Sequence, residues 1–258
     1  MIRPIVLGLV QGVTEFLPIS SSGHLVLFHR LLGYEPSLTL DVLAHIGTLI
    51  AIAWFFRKDL VFLGRGLLGW GQKNQVNQQR RLLANLILAS GPVAIIGLLF
   101  GGEVSSLANN PTILAICFWI TALLLVVGRF FRFPIRKGRF LAIGLFQALA
   151  IVPGISRSAS TVVGARVLGE EKEAAFKFSF LLGLIAIGGA AIYEIPQISQ
   201  FSSWQLQEGL IVVLVSFLSG LLALRVLKSL FLSDKMWYFS FYCFFLGLAI
   251  LVFFRNSF

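Results

Sequence analysis

Hydrophobic residues run along the chain in long stretches that short polar segments separate. A helix needs about 20 mostly apolar residues to cross a bilayer. Six stretches meet this requirement, at approximately 40–57, 82–101, 112–129, 178–194, 209–227 and 236–254. The alternating pattern of an outer-membrane barrel strand is missing from them. The pattern therefore predicts an all-α integral membrane protein with one membrane domain that covers 1–258.

Two other apolar stretches, 2–29 and 140–168, are interrupted near their middles by proline, glycine and hydroxyl residues. The interruptions read "PISSSGH" and "PGISRSAS". Proline lacks a backbone donor and disfavours helix in the residue before it. Irregular backbone at membrane depth is stable only where protein or a water-filled cavity surrounds it. Each stretch is therefore predicted to be a re-entrant hairpin of two half-helices joined at a polar tip.

The two interrupted stretches also resemble each other. "GLVQ" (8–11) precedes Pro18, and "GLFQ" (144–147) precedes Pro153. Each half of the chain would then contain one re-entrant hairpin and three crossings. Because three is odd, the second half would be inverted relative to the first. The sequence predicts inverted repeats of approximately 1–130 and 131–258.

The basic residues test this topology. Most of the 21 Lys and Arg residues lie in four segments on one side of the membrane, namely the loop 57–81 and the segments 129–139, 166–177 and 225–235. The opposite side receives Arg3, Arg30 and Arg255, and the 102–111 and 195–208 loops contain no Lys or Arg. The basic side is predicted to be cytoplasmic. The first hairpin then enters from the outer face, the second enters from the cytoplasmic face, and both termini face outward.

Composition agrees with this interpretation. The chain is 57% hydrophobic and 12% charged, with a mean hydropathy of +0.90, whereas soluble domains contain about 25% charged residues. Cytoplasmic segments account for the net charge of +10 without nucleic acid as a partner. Cys117 and Cys243 lie in separate apolar stretches and lack metal-ligand spacing, which indicates packing residues.

The two tips carry the candidate chemistry. Gln11 and Glu15 are four residues apart and share a helix face. Unpaired N–H groups at the start of each second half-helix favour phosphate, and an arginine can bind phosphate with two parallel hydrogen bonds. Together the groups suit phosphoryl transfer, in which positioning and charge stabilisation do most of the catalysis. The polar residues of the tips are Gln11, Glu15, Ser20, Ser21, Ser22, His24, Ser156, Arg157, Ser158, Ser160 and Thr161.

Simpler explanations exist for each group alone. Serine and glycine in membrane helices often allow close packing, Glu15 could pair with a distant arginine, and Arg157 could be a structural clamp. The conjunction favours a shared anion site, because a buried charge such as Arg157 requires compensation. Asp41 and His45 also lie four residues apart. A helix-stabilising or cavity-lining role is favoured for them over direct catalysis by His45.

The segments "GLVQGVTEFLPISSSGHLVL" and "VPGISRSAST" closely resemble the two signatures of the undecaprenyl-diphosphate phosphatase family, also known for bacitracin resistance. The first signature begins with Glu or Gln, followed by any three residues and then Glu, and Gln11 and Glu15 match these two positions. The serine-rich match consists of Ser20, Ser21, Gly23 and His24, and the second signature matches at Pro153, Gly154, Ser156, Arg157, Ser158 and Thr161. The resemblance covers essentially the whole chain.

This resemblance implies a multi-pass enzyme of the bacterial inner membrane that hydrolyses undecaprenyl diphosphate to undecaprenyl phosphate and inorganic phosphate. Such enzymes have six crossings and two re-entrant hairpins, open toward the periplasm and use Mg²⁺ or Ca²⁺. Partners are the lipid and the bilayer, and a homodimer is left open. The implied catalytic residues are Glu15, Ser21, His24 and Arg157. The implied phosphate-binding residues are Ser20, Ser22, Gly154, Ser156, Ser158 and Thr161, and the implied metal ligands are Gln11 and Glu15.

The nucleophile stays open between Ser21, His24 and water. Two departures from the family pattern are visible. Gln11 leaves one carboxylate in its motif, and a neutral amide is a weaker ligand for a hard cation. After "FSFLL" the family commonly has Ala-Ile-Pro, whereas this chain has "GLI" at 183–185, which predicts a less kinked crossing.

Two rival functions would account for part of this pattern. A lipid-phosphate transporter would also use broken helices in inverted repeats and could bind phosphate without hydrolysing it. The PAP2 class of lipid phosphatases requires a histidine six residues after the arginine, and Val163 occupies that position. The spacing therefore excludes the PAP2 class.

Overall fold

The computed structural model describes residues 2–33, 37–135, 137–194 and 203–253. Over these residues the chain is helical and contains no β-strand. The helices are α1 (Ile2–Phe16), α2 (Ser21–Leu31), α3 (Leu38–Phe55), α4 (Arg57–Leu68), α5 (Lys73–Ser106), α6 (Pro111–Phe130), α7 (Arg139–Leu149), α8 (Arg157–Val167), α9 (Lys172–Glu194), α10 (Ser203–Leu232) and α11 (Phe239–Phe253). Short 3₁₀ turns occupy Leu107–Asn109 and Met236–Tyr238. Arg255, and residues 195–202 of the predicted 195–208 loop, lie outside the described residues.

The six predicted crossings are confirmed as six long apolar helices among the described residues: Leu38–Phe55, Lys73–Val104, Pro111–Phe130, Lys172–Glu194, Leu206–Leu232 and Met236–Phe253. The expectation that 57–81 is a loop was wrong. Helix α4 fills 57–68, α5 already begins at Lys73, and α10 continues to Leu232. Lys, Arg, Gln and Leu favour helix in water as well as in lipid, so these helices extend beyond their apolar parts.

Both interrupted stretches break where the prolines predicted. Helix α1 ends at Phe16 and α2 begins at Ser21, where the Ser20 side chain accepts a hydrogen bond from the Gly23 N–H at 3.4 Å. Helix α8 follows Ser156, whose side chain accepts from the Ala159 N–H at 3.2 Å. Helix α1 packs against α2, and α7 packs against α8. The return of each pair to one membrane surface stays a prediction, and the structure is that of two helical hairpins with capped tips.

The helices pack in corresponding pairs. Helix α1 lies against α10, and its counterpart α7 lies against α5. Likewise, α3 contacts α10 and α9 contacts α5, while α6 packs against α11. In each half, the first half-helix of the hairpin and the first crossing thus pack against the second crossing of the other half. An inverted repeat would produce this exchange, and the repeat itself stays a prediction.

The glycines of the two similar motifs make these contacts close. A Cβ on Gly8 would lie 2.8 Å from Val215 Cβ of α10, and one on Gly144 would overlap the Ala89 carbonyl of α5. Small residues let membrane helices approach in this way, and van der Waals packing then stabilises the pair. The glycine of "GLVQ" and the glycine of "GLFQ" therefore hold the first half-helix of each hairpin against the opposite half of the molecule.

Candidate active site

The two tips meet in the interior. Arg157, the first residue of α8, donates from Nη2 to Oε1 of Glu15, in the last turn of α1, at 2.6 Å. The Gly154 N–H donates to Ser20 Oγ at 3.1 Å, and Ser158 Oγ donates to the Leu17 carbonyl at 3.1 Å. These contacts join residues more than 130 positions apart in sequence. The two tips therefore meet, as predicted, and Glu15 makes the pair with a distant arginine that was the simpler explanation for it. That they share an anion stays a prediction.

Glu15 is the centre of a polar network. Its Oε2 accepts hydrogen bonds from Ser21 Oγ at 2.5 Å and from Gln11 Nε2 at 3.0 Å. The carboxylate is 8% exposed, and buried charges require paired partners. The Arg157 guanidinium supplies the countercharge. A hydroxyl that donates to a carboxylate has the arrangement of a nucleophile beside its general base.

The second tip is held by its scaffold. Thr121 of α6 donates from Oγ1 to the Gly154 carbonyl at 3.0 Å and accepts from the Ser156 N–H at 3.0 Å. Gly154 has φ +99, and a Cβ there would lie 2.6 Å from Cys117 Cβ, so the turn requires glycine. This scaffold presents the start of α8, and with it Arg157, to the first tip.

The other hydroxyls of the second tip point back into the protein. Ser160 donates to the Ser156 carbonyl at 2.8 Å, and Thr161 donates to the Arg157 carbonyl at 2.9 Å. Ser156 and Ser158 lie 3.1 Å apart between their Oγ atoms. Among the predicted phosphate-binding residues of this tip, the structure places Ser156 on the cavity described next, and Gly154, Ser158 and Thr161 behind it.

A cavity of about 190 Å³ lies between the tips. Water occupies roughly 30 Å³ per molecule, so the space accommodates a phosphate group with accompanying waters. Its polar lining consists of Thr14, Glu15, Ser20, Ser21, Ser22, His45, Gln147, Ser156 and Arg157. Apolar residues of α5, α9 and the second tip, such as Val93, Ile151 and Ile187, complete the wall. A headgroup chamber with an apolar side fits a ligand that is both anionic and lipidic.

His24 lies apart from this cavity. Its Nδ1 donates to the Ser20 carbonyl at 2.7 Å, because a carbonyl can only accept, and its Nε2 then accepts from Tyr242 Oη at 2.7 Å. The imidazole stacks on the Tyr242 ring with centroids 5.7 Å apart. The structure thus places Ser21 beside Glu15 and His24 beside α11. The predicted catalytic role of His24 stays a prediction.

Besides Thr14, whose hydroxyl donates to the Val10 carbonyl, two polar cavity residues were not among the predicted site residues. His45 of α3 donates from Nδ1 to the Asp41 carbonyl at 2.8 Å, which leaves Nε2 facing Glu15 Oε2 at 3.9 Å. The cavity-lining alternative for His45 agrees with this position. The sequence could not reveal its neighbour, because the packing of α3 on α1 brings the two residues together.

Gln147 of α7 is the second such residue. It is fully buried, and neither its Nε2 nor its Oε1 has a hydrogen-bond partner among the described residues. An unpaired buried polar group costs about 1–3 kcal/mol. The sequence contained one signal for Gln147, since its position in "GLFQ" corresponds to that of Gln11 in "GLVQ". A ligand or water in the cavity would satisfy this amide.

Arg157 also retains an unused donor. Its Nη1 is buried without a hydrogen-bond partner in the described part of the chain. The guanidinium packs against Gly183 of α9, where a Cβ would overlap Nη1. Nη2 therefore neutralises Glu15, while Nη1 lies buried against α9 with its hydrogen-bonding capacity unused among the described residues.

The donor set limits the kind of cation that would fit. Among the described residues no group of three or more His, Cys, Asp or Glu side chains could hold a metal ion. Among the described residues Glu15 is the one carboxylate that lines the cavity, and the buried Oε1 of Gln11, which is not part of the lining, has no hydrogen-bond partner. Mg²⁺ is often bound by one or two carboxylates together with substrate phosphates and water. These oxygens fit a cation that the substrate brings or bridges, and not a cage made by protein alone.

Comparison with known proteins agrees with these motifs. The family model "Bacitracin resistance protein BacA" matches residues 4–249. The chain belongs to the BacA family. An undecaprenyl-diphosphatase of Thermosipho africanus is 43% identical over 255 residues, with 97% of this chain and 98% of that protein covered. The undecaprenyl-diphosphatases of Alkaliphilus metalliredigens and Methanobrevibacter smithii are 37% and 34% identical, with at least 96% of each chain covered.

Proposed function

We propose that this BacA-family chain is an enzyme that hydrolyses undecaprenyl diphosphate to undecaprenyl phosphate and inorganic phosphate. The observation that carries the proposal is the network of Ser21, Glu15 and Arg157 on a polar cavity, within a bundle of helices apolar enough to cross a membrane. The similar proteins are undecaprenyl-diphosphatases, and the proposed lipid and reaction follow theirs. The consequence for the cell is recycling of the carrier lipid for cell-wall synthesis.

Binding of the diphosphate changes the partners of Arg157. In the structure Nη2 is paired with Glu15 and Nη1 is unpaired. Phosphate oxygens compete for the guanidinium, since bidentate arginine–phosphate pairs are strong. As the guanidinium turns to phosphate, Glu15 loses part of its countercharge and becomes a better base for Ser21.

Ser21 is the proposed nucleophile, because its Oγ donates to Glu15 and it lines the cavity. The bond between Oγ and the terminal phosphorus forms while the bond from that phosphorus to the bridging oxygen breaks. The electron pair leaves with undecaprenyl phosphate, and Glu15 passes the hydroxyl proton to that oxygen. Water then attacks the serine phosphate, which releases inorganic phosphate and restores the serine hydroxyl.

The surrounding residues hold the headgroup. Gln147 Nε2, unpaired and on the cavity, is proposed to donate to a phosphate oxygen. Ser20, Ser22 and Ser156 line the same space, and Gln11 fixes the Glu15 carboxylate through its hydrogen bond. His45 is proposed to exchange protons with Glu15, since its Nε2 faces the carboxylate.

A divalent cation, Mg²⁺ or Ca²⁺, is proposed to bind with the substrate. Glu15 and the free amide oxygen of Gln11 are the residues that would hold it. When bound, such an ion neutralises charge on the transferring phosphoryl group. A donor set of one amide oxygen and one carboxylate predicts weak binding of the ion alone and stronger binding with diphosphate present.

The proposed location is the bacterial inner membrane, with the cavity open toward the periplasm. This orientation depends on the asymmetric distribution of Lys and Arg, which places the α3–α5 and α6–α7 connections on the cytoplasmic side.

Release of inorganic phosphate from undecaprenyl diphosphate by the purified, folded protein in detergent tests the proposal. We expect release that depends on a divalent cation. A lipid-phosphate transporter with the same anion site would bind the diphosphate without releasing phosphate. Saturable binding of the lipid by folded protein, with phosphate release no faster than in detergent alone, would contradict the enzyme and support the transporter.

A further inference from the structure

Helix α4 presents one face to the protein and one face away from it. It begins at Arg57, immediately after α3 ends at Phe55, and therefore starts at the membrane surface predicted to be cytoplasmic. On the inner face Leu63 is buried, and Gly66 is so close to α5 that a Cβ would overlap the Gln79 side chain. These contacts fix the rotation of the helix and leave the opposite face uncovered.

The uncovered face mixes basic and apolar side chains. At 100° per residue, positions 57, 58, 61, 65 and 68 fall within about 100° of one another. Arg57, Lys58 and Arg65 are exposed there, while Val61 is 57% exposed and Leu68 is 63% exposed. If only water surrounded this face, these large apolar side chains would remain exposed to water, which is unfavourable. Basic residues interspersed with large apolar ones are typical of helices that lie in the interface of an anionic membrane.

The positive charge of this face is not compensated by the protein. Asp59, the one acidic residue of α4, forms an ion pair with Lys177 of α9. Arg57 uses Nη1 for the Trp54 carbonyl, at 2.9 Å. No carboxylate among the described residues pairs with Arg57, Lys58 or Arg65. Three cations therefore remain for an external anion.

A cavity lies beside these cations. Its volume is about 570 Å³, and Arg57, Lys58, Arg65, Phe62, Trp70 and Gln75 contribute to its lining. Helix α4 ends at Leu68 and is followed by Gly69 with φ +72, and the Trp70 N–H then donates to the Arg65 carbonyl at 2.8 Å. This turn returns the indole toward the basic residues. Tryptophan is enriched at the level of lipid headgroups.

We propose that this cavity binds the headgroup of an anionic phospholipid of the cytoplasmic leaflet. The phosphate lies among Arg57, Lys58 and Arg65, and the acyl chains run along Val61 and Leu68. Charge at the end of a crossing also orients the protein, but orientation requires neither a cavity nor exposed apolar residues beside the charges. Basic pockets at membrane-helix ends bind anionic headgroups elsewhere. The proposal is independent of the phosphatase reaction.

Lipid binding to the full-length, delipidated protein tests the proposal by native mass spectrometry. Phosphatidylglycerol and phosphatidylcholine with identical acyl chains are the two probes. The variant is Arg57→Gln/Lys58→Gln/Arg65→Gln. The matched control is Arg225→Gln/Lys228→Gln/Lys235→Gln, which removes the same charge from exposed positions on the same predicted side.

The wild-type protein is expected to prefer phosphatidylglycerol at least tenfold. Near an anionic surface each basic residue contributes about fivefold, so the α4 variant should bind this lipid roughly 100-fold more weakly. The control should bind within about threefold of the wild type. Equal losses in both variants, or no preference between the two lipids, would overturn the proposal.

Trp70→Ser provides a second measurement, since its exposed side chain makes loss of folding unexpected. It should weaken binding of both phospholipids while preserving the preference for phosphatidylglycerol. Glycerol phosphate, which lacks acyl chains, is the competing probe. If it displaces phosphatidylglycerol at equal concentration, the site binds a free phosphate ester and the lipid assignment is wrong.

Discussion

The two tips share an architecture and differ in chemistry. Both consist of a proline-containing break followed by a serine-capped half-helix. In the first tip, Ser20, Ser21 and Ser22 all line the cavity. In the second tip, Ser158, Ser160 and Thr161 hydrogen-bond to backbone carbonyls, and Arg157 reaches the cavity. The first tip thus supplies the reactive groups, and the second tip holds the Arg157 guanidinium in a fixed position.

Of the substitutions that test this difference between the tips, Ser21→Ala should reduce phosphate release the most. If the first tip provides the nucleophile, the variant should lose phosphate release by about a millionfold, as when the nucleophile of a hydrolase is removed. Ser233→Ala, at an exposed position near the end of α10, is the matched control and should match the wild type. A Ser21→Ala enzyme within tenfold of the wild type would indicate attack by water or His24.

Arg157→Ala should reduce phosphate release by about 1,000-fold or more, because arginines that neutralise a transferring phosphoryl group contribute about that much. Arg157→Lys should recover only part of the rate, since a lysine keeps the charge and loses the planar pair of donors. Full recovery by lysine would show that charge alone matters at the second tip. The measurement is phosphate release by protein with normal gel-filtration behaviour.

Glu15→Gln removes the proposed base and is expected to slow phosphate release by about 100-fold to 1,000-fold. It also leaves the Arg157 guanidinium buried without a countercharge, which costs about 3–5 kcal/mol of stability. Added inorganic phosphate should therefore raise the melting temperature of the variant more than that of the wild type. An equal shift in both proteins would argue against a phosphate site at Arg157.

Gln147→Leu should separate function from stability. Phosphate release should fall about tenfold, as expected for loss of one donor to a phosphate oxygen. The melting temperature should rise, because the fully buried amide has no partner among the described residues. Gln79→Leu is the control. Its buried Oε1 also lacks a partner, but it lies between α4 and α5, so it should stabilise without slowing phosphate release.

Ser158→Ala should have the smallest effect. Its hydroxyl donates to the Leu17 carbonyl of the first tip, so its loss should cost about 1 kcal/mol of stability. The effect on phosphate release should stay below about tenfold, through a looser tip. A loss as large as that of Ser21→Ala would show that the second tip also contributes a reacting hydroxyl.

The sequence predicted the six crossings and both breaks, because apolar length and proline act locally. It also brought Glu15 and Arg157 together through the similarity of the two halves. It failed at the helix ends, where polar residues continue helix beyond the apolar stretch. The position of His45 on the cavity could not be predicted, since it depends on the rotation of α3 about its axis, which packing determines. For Gln147 the match between "GLFQ" and "GLVQ" was an available signal.

The Ser160 and Thr161 hydroxyls show another limit. Hydroxyls in a signature motif suggest ligand binding, but in a membrane helix they can equally donate to the carbonyl four residues earlier. Residue type alone does not distinguish the two uses. The two uses are distinguished by whether each side chain points toward the cavity or away from it.

Gly183 leaves a notch in α9, and the guanidinium of Arg157 fills it. The position opposite an arginine can therefore act as a spacer that sets how far the cation reaches. Alanine, common at this position in the family that the motifs resemble, would occupy the notch and push the charged group toward the chamber. A single methyl group on a neighbouring helix would thus change how readily the guanidinium exchanges its ion pair with the carboxylate for one with a bound anion.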